Sequence, residues 1–308
     1  MNSLRIDANF TEDTVGFALE SFLSVMSFPT LRFSIEPFSR GREHWLGADA
    51  RLLGQVIGFR PFYMQFKRPT AYPDYSSAKV VKERKKLRLP IDPRTLFFQL
   101  RAKQPQHPHF QHNVLYRLRR RLRTRNLGDA AYVCPLFLDR SAYRFHMQMA
   151  GLRRWPFFWR HYPWDVEDVL IQHGTRNIRF DQIPVLAEHI SIPPHDEVAD
   201  ANHSYSFTEH GADLCFHSPE ALPEGSSTLA AFLASIAAGF PNADSKILIE
   251  RANEELRLLI APEPEGELLP GALSLVQDDD AIASWMGLGD ALSRTYGIEQ
   301  FALINWSD

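Results

Sequence analysis

Cysteine is almost missing from this chain: Cys134 and Cys215 are the only two in 308 residues. Two thiols cannot form a disulfide framework or, alone, a four-cysteine zinc site. They fit a reducing compartment, where both are expected to serve as small core residues. Long apolar runs are missing too, since nothing approaches the roughly 18 to 20 residues that a bilayer-spanning helix needs. The opening residues, 1–13, carry acids where a signal peptide would need an apolar stretch. The expected setting is therefore cytoplasmic, with no membrane partner. There is no Gly-x-Ser-x-Gly elbow and no glycine-rich phosphate loop, which sets aside the serine hydrolases of that type and the nucleotide-binding folds that use such a loop. His107, His109 and His112 are interrupted by Pro108 and have no cysteine pair beside them, so they read as a polar loop and not as a zinc site.

What is present describes a globular chain. Apolar side chains make up 44%, charged ones 23% and aromatic ones 12%, enough for one large or two modest domains with a sizeable core. The net charge of −3 hides a division. Residues 1–187 hold 30 Lys+Arg against 16 Asp+Glu, a balance of +14, and residues 188–308 hold 4 against 21, a balance of −17. The basic section attracts polyanions, nucleic acid foremost; the acidic section would repel them and is suited to a protein partner or to self-contact with the basic section.

Periodicity gives a coarse map. Val15, Leu19, Phe22, Leu23 and Met26 recur at helical spacing after a Thr11 cap, and Pro29 closes that helix. Alternating or apolar runs at 31–38, 44–53 and 56–67 predict three consecutive strands, most simply an antiparallel meander. Helices are expected at 96–103 and 110–125, and a buried strand at 130–137. Short strands are expected at 203–207 and 213–217. Helices follow at 228–239, 245–260 and 281–296, with a Pro/Glu/Gly-rich linker at 261–271. A soft boundary near residue 221 would separate domain 1–221 from an acidic, mostly helical section, 222–308. This alternation favours an α/β fold.

The residues that point to chemistry are Asp49, Gln65 and Lys67. Side chains two apart on a strand share a face, so Gln65 and Lys67 should point together, and a neighbouring strand can bring Asp49 to them. A carboxylate, an amide oxygen and waters suit a hard divalent cation such as Mg2+ or Mn2+. An ammonium beside it would neutralise charge developing on phosphorus. Glu12, near the apolar face of the first helix, and Glu43, with the strand parity of Asp49, are further acids for this site. Each also has a plain structural reading, a helix-dipole acid and an exposed strand end. Rival matches at Asp74 with Glu83 and Lys85, and at Asp244 with Lys246, lack the apolar run that leads into Gln65.

This pattern resembles the PD-(D/E)XK nuclease superfamily, and within it the Mrr-like restriction endonucleases in which glutamine replaces the second acid. Asp49 corresponds to the metal-binding aspartate, Gln65 to the variant second position and Lys67 to the catalytic lysine; Ala48 stands where the family has proline. The resemblance covers residues 11–70. It implies a restriction-endonuclease-like mixed β-sheet flanked by helices, and a metal-dependent DNA endonuclease, Asp49 and Gln65 holding the ion, in prokaryotic restriction or antiviral defence. RNA remains open as a substrate. The alternative is a catalytically inactive module of the same fold that binds nucleic acid or scaffolds a defence complex. Six arginines between Arg117 and Arg125 recur at helical spacing. They suit phosphate contacts through Arg117, Arg120 and Arg121, with Arg68 beside the catalytic lysine.

Overall fold

A computed structural model describes residues 4–27, 33–37, 56–105, 107–153, 184–218, 220–223, 226–238, 246–264 and 266–306. Apart from two short 3-10 turns, the described elements run as follows in chain order. The first half has β1 (Ile6–Asp7), α1 (Glu12–Ser27), β2 (Phe33–Pro37), β3 (Val56–Phe66), β4 (Thr70–Pro73), α2 (Lys79–Lys86), β5 (Arg94–Gln99), α3 (Gln111–Thr124), β6 (Asp129–Pro135) and α4 (Ser141–Arg153). The second has α5 (Pro184–Ala187), β7 (His189–Ile192), β8 (Ser204–Phe207), β9 (Cys215–Ser218), β10 (Glu220–Pro223), β11 (Ser227–Thr228), α6 (Leu229–Ala238), β12 (Ile247–Leu248), α7 (Ala252–Ile260), α8 (Ala281–Tyr296) and β13 (Glu299–Trp306). The chain is mixed α/β, with its described strands in two open, largely antiparallel sheets. No described helix is long and apolar enough to cross a membrane.

Two compact units form, each from three segments: Met1–Phe22, Phe66–His112 and Tyr132–Ala234 in the first, and Leu23–Gln65, Asn113–Ala131 and Ser235–Asp308 in the second. The sequence reading placed one cut near residue 221; the packing interleaves the segments.

In the first unit, β1, β4, β5, β8, β9 and β10 make an antiparallel sheet in that order. Ala71, Leu96, Phe98, Tyr205, Phe207 and Phe216 are buried, and Phe98 packs on both Tyr205 and Tyr132. The stretch expected as helix 96–103 is instead the strand β5. Its Thr-Leu-Phe-Phe run is short and apolar, which periodicity cannot assign, and pairing with β4 and β8 on both sides satisfies its backbone as a strand. The basic run around residue 84 is not simply a solvated surface. Val80, Val81 and Arg84 of α2 are buried, and the Arg84 guanidinium donates to the carbonyls of Pro90, Ser206 and Asp213 and pairs with the Asp213 carboxylate. A buried cation needs that many acceptors to offset its lost hydration. A separate ladder, β11–β7–β6, pairs Thr228 with Ile190 and Ile190 with Cys134.

In the second unit the expected meander is overturned. The place between β2 and β3 that the meander gives to strand 44–53 is taken by β13, which pairs antiparallel with both, while β12 pairs with β3. The C-terminal section thus ends in a central strand, not in helix. Phe301, Ala302, Leu303 and Ile304 are all buried, as a strand covered on both faces requires. α8 is capped by Asp280, whose side chain accepts from the Ala283 N–H at 2.9 Å, and ends at Gly297, where φ is 61°. Its Trp285 packs edge-on against Phe59 and donates to the Ala252 carbonyl at 2.9 Å. The expected strand 44–53 and the aromatic-rich stretch 154–164 lie outside the described residues.

Gly128 precedes β6 where no side chain fits: a Cβ there would lie 2.0 Å from the Pro61 carbonyl oxygen, a backbone atom that cannot swing away. Gly128→Ala should lower stability by about 2 kcal/mol, as overpacking does. Urea unfolding should show this as a lower midpoint with unchanged slope.

Candidate active site

Lys67 follows β3 by one residue, and its N–H donates to the Val133 carbonyl at 2.9 Å, which pins the backbone. Its side chain is only 2% exposed. Nζ donates to Gln111 Oε1 at 3.2 Å and lies 5.5 Å from the centre of the Tyr132 ring. No carboxylate hydrogen-bonds to this ammonium among the described residues. Burial therefore dominates and pushes the Lys67 pKa down to about 8; Glu12 pulls it up and Arg101 adds to the lowering.

The groups in direct contact with the ammonium, Gln111 and Tyr132, are neutral, and Tyr132 is held by a histidine. His112 donates from Nε2 to the Asp196 carbonyl at 2.6 Å, since a carbonyl can only accept; its Nδ1 then accepts from the Tyr132 hydroxyl at 2.8 Å. Burial lowers the His112 pKa to about 4, so the ring carries no charge near neutrality. This corrects the polar-loop reading of the three histidines for His112, which lies buried in the first turn of α3.

Glu12 opens α1, where Thr11 caps the helix by accepting from the Thr14 N–H at 3.3 Å. Its carboxylate pairs with Arg101, and both line a cleft of about 400 Å³ together with Arg5, Thr11, Asp13, Arg68, Thr70, Phe97, Phe98 and Gln99. Arg5 is paired with Asp7. Arg68 makes no ion pair or hydrogen bond among the described residues, yet it faces the cleft.

Gln65 is 1% exposed. Its Nε2 donates to the Tyr296 carbonyl at the end of α8 at 3.2 Å, and its Oε1 is buried with no hydrogen-bond partner among the described residues. An orphaned buried carbonyl oxygen is the kind of donor a hard cation accepts, so Gln65 fits a metal-ligand role. Asp49 and Glu43 lie outside the described residues. Among the described residues no three His, Cys, Asp or Glu side chains converge as a metal-binding group.

The arginine helix is less open than its sequence implies. Arg121 donates to the carbonyls of Leu259 and Ala261 and pairs with Glu263, and Arg120 pairs with Glu263 as well. Arg119 and Arg123 share Asp129. Arg117 is buried. The basic helix and the acidic C-terminal section therefore do meet, at Glu263, and a phosphate approaching Arg120 or Arg121 would have to compete with protein acceptors.

Comparison with known proteins adds nothing to this geometry. No family model, curated protein or solved structure matches the chain.

Sequence reasoning missed Gln111, Tyr132 and Arg101, which lie 34 to 65 residues from Lys67 and have no local motif. It also missed a second set. Ser206 Oγ donates to His217 Nε2 at 2.7 Å, and His217 Nδ1 donates to Glu83 Oε2 at 2.7 Å. These are the nucleophile, base and orienting acid of a serine hydrolase by type. Ser206 is fully buried, however, and accepts a further bond from Arg84 at 3.0 Å, so no substrate reaches it. The relay instead ties α2 to β8 and β9.

Proposed function

We propose that the protein is a metal-dependent nuclease that hydrolyses phosphodiester bonds of DNA, with RNA a second possible polymer. The observation that carries this reading is Lys67, a lysine held dry among neutral partners with a pKa of about 8. Hydrolysis requires a water that loses its proton as it attacks phosphorus, and positive charge near the phosphoryl oxygens. A lysine with this pKa is neutral in about a tenth of molecules at pH 7 and in most above pH 8, so it can take that proton. Glu12 moderates the depression of the Lys67 pKa, and its pairing with Arg101 holds that guanidinium at the cleft. Arg68 makes no hydrogen bond or close ion pair among the described residues, although its charge acts on Asp7, and it is the guanidinium of the cleft best placed for a phosphate.

Asp49 and Gln65 would hold the Mg2+ or Mn2+ ion, which when bound supplies charge neutralisation and a more acidic water. The buried Oε1 of Gln65, which has no hydrogen-bond partner among the described residues, supports that assignment. The resemblance to Mrr-like enzymes extends the proposal to a restriction-endonuclease-like fold and to restriction or antiviral defence.

Incubation of the full chain with Mg2+ or Mn2+ and plasmid, single-stranded DNA or RNA should give cleavage that EDTA abolishes. Intact polymers throughout, with either ion, would leave only a binding module.

A further inference from the structure

We infer that the cleft beside Lys67 is a nucleotide subsite that takes one unit of an unpaired strand, its phosphate on Arg68 and its base against Phe97. The inference rests on the nuclease reading above and specifies the form of nucleic acid that reaches the site.

The cleft combines two chemistries. Arg5, Arg68 and Arg101 bring three guanidiniums to it, and Glu12 and Asp13 bring two carboxylates. Arg101 pairs with Glu12 and Arg5 with Asp7; Arg68 adds its charge to the field on Asp7 but makes no hydrogen bond or close ion pair among the described residues, so its N–H donors are open to a ligand. Such a guanidinium can offer a phosphate two parallel N–H donors. Phe97 contributes the second chemistry. Its ring is stacked on Tyr72, with centroids 5.1 Å apart and planes 5° from parallel, so it cannot turn freely. A ring fixed in advance loses little freedom when a base stacks on it. The exposed Gln99 supplies a further polar group on the same strand as Phe97, whereas the Thr70 hydroxyl is already donating to Asp7 at 3.2 Å.

Size and accessibility select the form of the substrate. About 400 Å³ is at the small end of ligand sites and suits a single nucleotide. In a duplex the bases are stacked and turned inward, so a base meets Phe97 only from an unpaired strand or after leaving the stack. The substrate class is therefore single-stranded nucleic acid, or a frayed or unpaired end.

The test uses the full chain without divalent ion, so that nothing is cut, and follows fluorescence anisotropy of a short labelled oligothymidylate and of a duplex of equal length. Phe97→Leu should weaken single-strand binding about tenfold, in the range of one lost base stack, and Phe97→Tyr should restore it. Arg68→Ala should weaken it to a similar extent, with thermal unfolding reporting that both variants remain folded. Cleavage with metal is measured in parallel. Single-strand binding that is indifferent to Phe97→Leu, or a preference for duplex, overturns the subsite even if the protein cuts. Loss of single-strand binding in both variants of a protein that never cuts upholds the subsite and removes the nuclease.

Discussion

Replacing Lys67 with alanine is expected to slow nucleic-acid cleavage by about 10³-fold, the middle of the range for losing a positioned base, with binding changed less than about twofold. The separation follows from the geometry. Lys67 is 2% exposed and does not line the cleft, whereas Arg68 does. A side chain that does not line the cleft contributes little to holding the polymer, and the loss of rate follows from the base role proposed above for Lys67. The pH profile carries the sharper test. A base with a pKa of about 8 should give a rate that climbs about tenfold per pH unit below that value and levels above it. Lys67→Arg keeps the charge but cannot shed its proton, so it should remain inactive across the profile. Added small amines should partly rescue Lys67→Ala, more strongly as the pH rises through the pKa of the amine. Wild-type cleavage by Lys67→Ala would remove the assignment.

The second large effect is on stability. An unfolded lysine titrates near 10.5, and folded Lys67 near 8. Between those values the folded chain holds fewer protons than the unfolded one, so this site's contribution to stability is least favourable below pH 8 and improves as pH rises towards 10.5. The span corresponds to about 3 kcal/mol for a fully buried group. Lys67→Met keeps the apolar stem without the charge. Its stability relative to the wild type should be greatest at pH 7 and should fall by about 3 kcal/mol by pH 10.5. That difference excludes the constant cost of losing the bond from Lys67 to Gln111 Oε1. Denaturant unfolding of both proteins at several pH values measures it, and a pH-independent gap would show that Lys67 is not desolvated. The two expectations have one cause: the burial that frees the lone pair of the amine also opposes folding with the amine charged.

Local pattern made several elements legible. The spacing of Val15, Leu19 and Phe22 matches α1, the leucine stripe beside the arginines matches α3, and the apolar run after Gly128 matches β6. Each owes its form to contacts within a few residues, which is the range over which periodicity carries information. β5 was misread because four consecutive apolar or β-branched residues fit helix and strand alike, and the pairing that decided between them comes from β4 and β8. β13 was missed altogether. Its burial depends on β2 and β3, which lie more than 200 residues earlier in the chain.

The candidate site divides along the same line. Sequence alone supplied the residue types, with Gln65 and Lys67 at strand spacing, Glu12 in the first turn of a helix and a basic first half. It could not supply the protonation behaviour of Lys67, because that depends on the water excluded by Tyr132, Gln111 and the strands around them. Nor could it tell arginines already bonded to protein acceptors, such as Arg121, from Arg68, which makes no hydrogen bond among the described residues and lines the cleft. Residue identity is written locally. Solvation and charge pairing are set by whatever the rest of the chain brings within a few ångströms, and only the tertiary structure decided those.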